Sequence, residues 1–220
     1  MRIYPVSKMR SLVINEIFYS LQGETDSVGL PTVFVRLTGC PLRCKYCDTE
    51  YAFKDGSKKT FDDIDKSIIN YNCNRVTITG GEPLAQSSCI DFLNEYSSKY
   101  SLSIETSNAY TIRDINEDVK IILDIKTPGS GEHNKNLIEN YSFLKINDQI
   151  KFVICNLDDY LWVKEYIKEY DLTEKCPILF SPSYNQMDLE TLADKILEDN
   201  LPVRLQIQLH KYIWGDIRGK

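Results

Sequence analysis

Three cysteines, Cys40, Cys44 and Cys47, fall in the run Thr38-Gly39-Cys40-Pro41-Leu42-Arg43-Cys44-Lys45-Tyr46-Cys47-Asp48-Thr49, with the spacing CxxxCxxC. That spacing keeps three sulfurs on one loop, long enough to wrap a cubane and offer a thiolate to each of three irons. Fully protein-ligated [4Fe–4S] clusters take four cysteines, so a compact trio implies one iron left open for a ligand from outside the chain. The competing reading is a non-catalytic zinc-binding module, which wants four ligands in paired spacing. Cys73 is its candidate fourth ligand, but it falls at the end of a predicted helix far from the loop, and the histidines are His133 and His210 alone. Gly39, Pro41 and Arg43 give the loop an exposed character, which argues against buried structural thiols. Cys73, Cys89, Cys155 and Cys176 each sit in or beside an apolar segment and read as inert core thiols.

A second candidate is Thr79-Gly80-Gly81-Glu82-Pro83 at the end of a predicted strand. Two glycines let a ligand approach the backbone, and a strand-to-helix junction offers free N–H and C=O groups to a zwitterionic amino acid. A glycine-assisted turn before a helix explains the segment equally well in isolation. Its place one βα unit after the cysteine loop makes the pair informative.

The elements that must hold these loops are short β-branched runs: 32–37, 75–79, 102–105, 120–125, 150–154, 178–181 and 203–209. Helix-period segments lie between them. One covers 61–70 after Thr60, with Asp62 and Asp63 where negative charge suits the helix dipole. The next runs from Pro83 to about Tyr100, with proline in its first turn. Two more span 157–170 and 188–200 with apolar residues at helical spacing. Alternating strands and helices predict an α/β fold, a full or partial (β/α) barrel of mainly parallel strands. Sites in such folds form on loops at the carboxyl ends of strands. The turn-rich stretch 127–134 lies on the same rim.

The chain has 220 residues, enough for one core, and one domain over 1–220 is expected, with residues 1–12 an extension and Met9 an alternative start. A net charge of −6, with 26 basic residues scattered among 32 acidic ones, gives no footprint for a nucleic-acid backbone. Seven cysteines and a start without an apolar signal core point to reduced thiols and a cytoplasmic location. No apolar run reaches the roughly 20 residues of a membrane span.

CxxxCxxC with Tyr46 directly before the last cysteine, followed by GGEP, resembles the radical S-adenosylmethionine superfamily, over Asn15 to Trp214. The resemblance implies a radical-SAM-type partial barrel in which Cys40, Cys44 and Cys47 hold the [4Fe–4S] cluster and S-adenosylmethionine chelates the open iron. It places Tyr46, Cys47 and Asp48 near the adenine and Gly81 and Glu82 near the cofactor's amino group. Glu105 and Ser107 at the third strand end, and Lys126, Thr127, Pro128 and Gly129 on the next rim loop, would complete the cofactor contacts. Ser107-Asn108 departs from the family's usual residues there, as does the composition of the Thr127 turn.

Leu21-Gln22-Gly23-Glu24, Cys47-Asp48-Thr49, Thr79 to Pro83 and the late run Gln208 to Trp214 resemble the 7-carboxy-7-deazaguanine synthases within that superfamily. This implies a lyase that contracts the ring of 6-carboxy-5,6,7,8-tetrahydropterin, after hydrogen abstraction from C6, with loss of ammonia. Leu21, Gln22, Gly23, Glu24, Thr79 and His210 would bind the pterin. Arg36 would pair with its carboxylate, a use that suits the guanidinium fork. Thr49 would offer its hydroxyl to Mg²⁺, which keeps most of its waters. The resemblance also implies a homodimer and an electron donor such as flavodoxin or ferredoxin. An activase that abstracts hydrogen from a protein glycine shares the cysteine motif but lacks the LQGE and HKYIW segments.

Overall fold

The computed structural model describes residues 10–220. In chain order the elements are β1 (Ser11–Leu21), β2 (Pro31–Leu37), β3 (Ser57–Thr60), α1 (Phe61–Ile69), β4 (Arg75–Gly80), α2 (Ser88–Tyr96), β5 (Ser101–Ser107), β6 (Lys120–Asp124), β7 (Gln149–Ile154), α3 (Leu157–Glu169), β8 (Ile178–Pro182), α4 (Leu189–Glu198), β9 (Arg204–Leu205) and α5 (Leu209–Trp214). The strands form one sheet in the order β3-β1-β2-β4-β5-β6-β7-β8-β9. From β2 to β9 every pairing is parallel, while β1 runs antiparallel to both β2 and β3. The outermost strands, β3 and β9, do not pair with each other, so the barrel is partial, as expected.

Strand alternation sorts the side chains onto two faces. Val33, Val35 and Leu37 of β2, Val76 and Ile78 of β4, Leu102 and Ile104 of β5, and Ile150, Phe152 and Ile154 of β7 are buried and belong to the hydrophobic core. So do Phe92 of α2, Val163 of α3 and Leu192 of α4. Each such side chain contributes about 1.5–3 kcal/mol on leaving water, so this face holds the fold. The alternate positions, among them Arg36, Thr79, Glu105, Asp124, Lys151 and Ser181, line a cavity on the sheet's other face.

Helix starts follow local chemistry. Thr60 caps α1 by accepting from Asp63 N at 3.2 Å while Asp63 accepts from Thr60 N, a capping box. Asn156 and Asp188 cap α3 and α4 in the same way, each accepting from an N–H three residues on.

Several expectations change. β1, the longest strand, was not foreseen, nor was the polar edge strand β3. The expected helix from Pro83 to Tyr100 is a short 3-10 turn, Pro83–Ala85, then a break, then α2. Gln86 makes the break: its amide bonds Val13 N, Val13 O and Thr38 O, stitching the segment to β1 and the end of β2. The expected strand 203–209 keeps two residues, and the chain then turns across the cavity into α5. Of the extension expected over 1–12, residues 1–9 lie outside the described residues, as does Met9, while Ser11 and Leu12 belong to β1, with Leu12 in the core.

Candidate active site

The carboxyl ends of the parallel strands surround a cavity of about 370 Å³. Its first side is the loop after β2. Gly39, with φ +95°, turns the chain out of the strand, and its N–H bonds Ala52 O at 2.8 Å. Cys40, Cys44 and Cys47 are half-buried and all face the cavity. Leu42 anchors the loop in the interior, and the Arg43 guanidinium bonds the carbonyls of Cys40 and Leu42 at 2.6 Å. Burial raises the Cys40 and Cys47 thiols and pushes Cys44 up to about 11.

GGEP is bolted to this loop. Gly81 N bonds Leu37 O at 3.2 Å, and Glu82 N bonds Gly39 O at 2.9 Å. A Cβ on Gly81 would collide with Gly39 O and lie 2.8 Å from Cys40 Cβ, so a glycine is needed for the approach. Glu82 itself is buried beneath the cavity wall and does not line it. It accepts from Leu84 N, Thr106 Oγ1, Ser107 N and Ser107 Oγ at 2.6–2.9 Å, fixing the end of β5. Burial nevertheless raises its pKa.

The Thr127-Pro128-Gly129 turn also stands behind the wall. Thr127 Oγ1 donates to Val153 O and Asp159 Oδ2, both at 3.0 Å, and Gly129 N donates to Asp159 Oδ1 at 2.7 Å. Ser130 O then accepts from Lys45 N at 3.0 Å, so the turn braces the cysteine loop. Lys126, just before it, does face the cavity, bonds Asp124 at 2.9 Å and lies 5.7 Å from the Tyr46 ring centre. Burial opposes its charge, but Asp124 and its other neighbours hold its pKa well above the ordinary 10.5.

The opposite side is the end of β1. Gln22 and Glu24 are buried. Gln22 Nε2 donates to Glu105 Oε1 at 3.2 Å, and Thr79 Oγ1 donates to Glu105 Oε2 at 3.2 Å. Glu24 forms an ion pair with Lys151. Burial alone would raise the Glu24 carboxyl, but the adjacent ammonium brings it below 4.5; burial and the Glu24 charge raise Glu105. The His210 ring packs on Gly23, where any Cβ would strike it, and burial lowers the His210 pKa. Arg36 donates from Nε to Glu16 at 2.8 Å. Asp48 and Thr49 line the cavity; Thr49 Oγ1 donates to Asp48 at 2.8 Å, and Lys211 of α5 reaches Asp48 at 2.6 Å.

Of the residues that the resemblance assigns to cluster, cofactor, Mg²⁺ or substrate, Glu82 and the Thr127-Pro128-Gly129 turn stand apart from the cavity lining, and the others share it. The sequence reading missed Lys151, Asp124, Gln208 and Lys211, which also line it. Their signal was weak: Lys151 and Asp124 interrupt apolar strand runs, as Arg36 does.

The site fits a sulfur-bound cluster with a polar cofactor beside it. Among the described residues no three His, Cys, Asp or Glu side chains form a ready-made metal cluster. Cys73 donates to Pro31 O at the start of β2, the far end from the loop, and so is no fourth ligand. The hydroxyl of Tyr46 and Oδ1 of Asp124 are buried without a partner, and both residues line the cavity, an arrangement that calls for a polar ligand.

Comparison with known proteins agrees with this chemistry. Residues 34–196 match the model of the radical SAM superfamily, and the chain belongs to that superfamily. A 7-carboxy-7-deazaguanine synthase from Chlorobaculum tepidum is 41% identical over 214 residues, covering 94% of this chain and 97% of that protein. One from Koribacter versatilis is 40% identical, covering 91% and 96%. The crystal structure of QueE from Escherichia coli shares the fold with a TM-score of 0.73 at 22% identity, over 91% of this chain and 95% of that one. Within the superfamily, the chain belongs to the 7-carboxy-7-deazaguanine synthase family.

Proposed function

We propose that this chain converts 6-carboxy-5,6,7,8-tetrahydropterin into 7-carboxy-7-deazaguanine, a ring contraction with loss of ammonia that serves queuosine or other 7-deazapurine biosynthesis. The observation that carries the reading is that Cys40, Cys44 and Cys47 share one cavity with Gln22, Glu24, Arg36, Thr79 and His210. The three thiols would hold a [4Fe–4S] cluster, with Tyr46, Lys126 and Ser107 beside its open iron. When bound, the cluster and S-adenosylmethionine supply the one-electron chemistry that starts hydrogen abstraction from carbon.

The chain's residues position the substrate. Glu24, kept ionised by Lys151, accepts from the N–H groups of the pterin ring, and Gln22 sets the ring's edge against Glu105. Arg36 forks onto the carboxylate. Thr49 serves as a protein ligand for Mg²⁺, the water-rich coordination that ion prefers. Burial of Gln22, Glu24 and Ser107 keeps solvent from the reacting face.

Residues 1–220 act as one catalytic domain, a reading supported by the single continuous sheet. Among the described residues no helix is long and apolar enough to cross a membrane. A cytoplasmic homodimer, reduced by a flavodoxin or ferredoxin, completes the proposal. The test is anaerobic reconstitution with iron and sulfide, then incubation with dithionite, S-adenosylmethionine and the carboxytetrahydropterin. Formation of 7-carboxy-7-deazaguanine without a protein partner supports the reading; cofactor cleavage without that product rejects the substrate.

A further inference from the structure

Beyond α5, Gly215 takes φ +74° and ends the helix, and the chain runs back over the cavity, which Asp216 and Lys220 line. Between them, Arg218 reaches into a cup built by β1 and the 3-10 turn Glu50–Phe53. Its Nε donates to Glu16 Oε2 at 3.0 Å, its Nη2 donates to Asn15 Oδ1 at 2.7 Å, and its guanidinium carbon lies 4.3 Å from the Tyr51 ring centre. Neighbouring residues of a regular strand point to opposite faces, so Asn15 and Glu16 should not both reach one partner. A register irregularity between Ile14 and Glu16 in the β1–β2 pairing re-aims them.

Glu16 is shared. Its Oε1 accepts from Arg36 Nε at 2.8 Å and from Tyr51 OH at 3.0 Å, and its Oε2 takes Arg218. One carboxylate therefore joins the cavity's guanidinium to the terminal segment. Burial would raise the Glu16 carboxyl, but the two arginines hold it below its ordinary 4.5. With Arg218 in place, Glu16 grips Arg36 through Nε and leaves the terminal nitrogens for a ligand. Without Arg218, Glu16 Oε2 loses its partner and can swing onto those nitrogens, competing with an incoming carboxylate.

Resting on the function proposed above, we propose that Arg218 is a positioning residue for the substrate carboxylate: through Glu16 it keeps the outer edge of Arg36 free and straps residues 215–220 across the cavity.

The experiment uses the full-length, anaerobically reconstituted protein and two fluorescent ligands, 6-carboxypterin and pterin, which differ in the carboxylate. Binding is read by fluorescence titration, and hydrogen exchange of residues 209–220 by mass spectrometry. Arg218→Met should lower affinity for 6-carboxypterin by about ten-fold or more, leave pterin within about two-fold, and speed exchange in 209–220. Arg218→Lys, which cannot reach Glu16 and Asn15 together, should fall between. Equal losses for both ligands would mean a structural role only, and an unchanged affinity for 6-carboxypterin would overturn the coupling. If the wild-type protein binds neither ligand, the pterin reading fails, and exchange alone then judges the strap: unchanged rates in Arg218→Met would overturn it too.

Discussion

At the cysteine end of the cavity the wall is the meeting of two loops, which Gly39, Gly80 and Gly81 let touch, with Tyr46 and the Lys126–Asp124 pair beside them. At the Glu24 end it is paired charged and polar side chains, Glu24 with Lys151 and Gln22 with Glu105 across the cavity and Arg36 with Glu16 on the adjoining strand. The first end is shaped to admit a bulky group that brings its own chemistry. The second is organised before any ligand arrives, as an orienting site must be.

The sharpest way to break this contrast is Cys44→Ala. We expect iron content to fall and product formation to vanish while far-UV circular dichroism is unchanged, because the thiol is half-buried and outside the core. Gly81→Ala should come next: its methyl must push Gly39 and Cys40 aside, at a cost of about 1–3 kcal/mol in thermal unfolding. Cluster loading should fall with it.

At the charged end, Lys151→Met should be costly because it strands a buried carboxylate, destabilising the fold by about 3 kcal/mol. It should also move a pH limb. The Glu24 pKa is depressed in the folded protein, so its contribution to stability is present above 4.5 and is lost as pH falls through the folded value. Without Lys151, Gln208 and His210 alone are left to oppose burial, and the folded pKa rises. Binding of 6-carboxypterin should then fail at a higher pH than in the wild type, and an unmoved acid limb would refute the pairing. Arg36→Ala should weaken 6-carboxypterin binding by about 2 kcal/mol, roughly thirty-fold, without altering iron content. Least of all, Thr60→Ala removes the α1 cap far from the cavity and should cost about 1 kcal/mol in stability with turnover unchanged.

The same contrast explains what the sequence disclosed. The cysteine loop and GGEP are local: their residues are neighbours in the chain and their spacing carries the chemistry. The charged end is not local, since Lys151 meets Glu24 across 127 residues and reads in isolation as an ordinary lysine in IKFVI. Strands β2 and β4 to β8 announced themselves by β-branched runs. β1 did not, because half-buried positions and the irregularity at Glu16 blur its alternation. The run 203–209 looked like a strand, but Gln206 turns inward and the chain leaves the sheet to seat α5. Glu82 and the Thr127 turn, assigned to the cofactor by resemblance, lie outside the cavity lining and brace the loops that form it.

The division of the sheet into an oily side and a wet side has an evolutionary consequence. Because cohesion comes from residues such as Val35, Ile78 and Phe152, the residues on the other surface can be exchanged without endangering the scaffold. New specificities would arise by rewriting Arg36, Thr79, Glu105 and Lys151 in place, so this architecture lends itself to the inheritance of new reactions on an old frame.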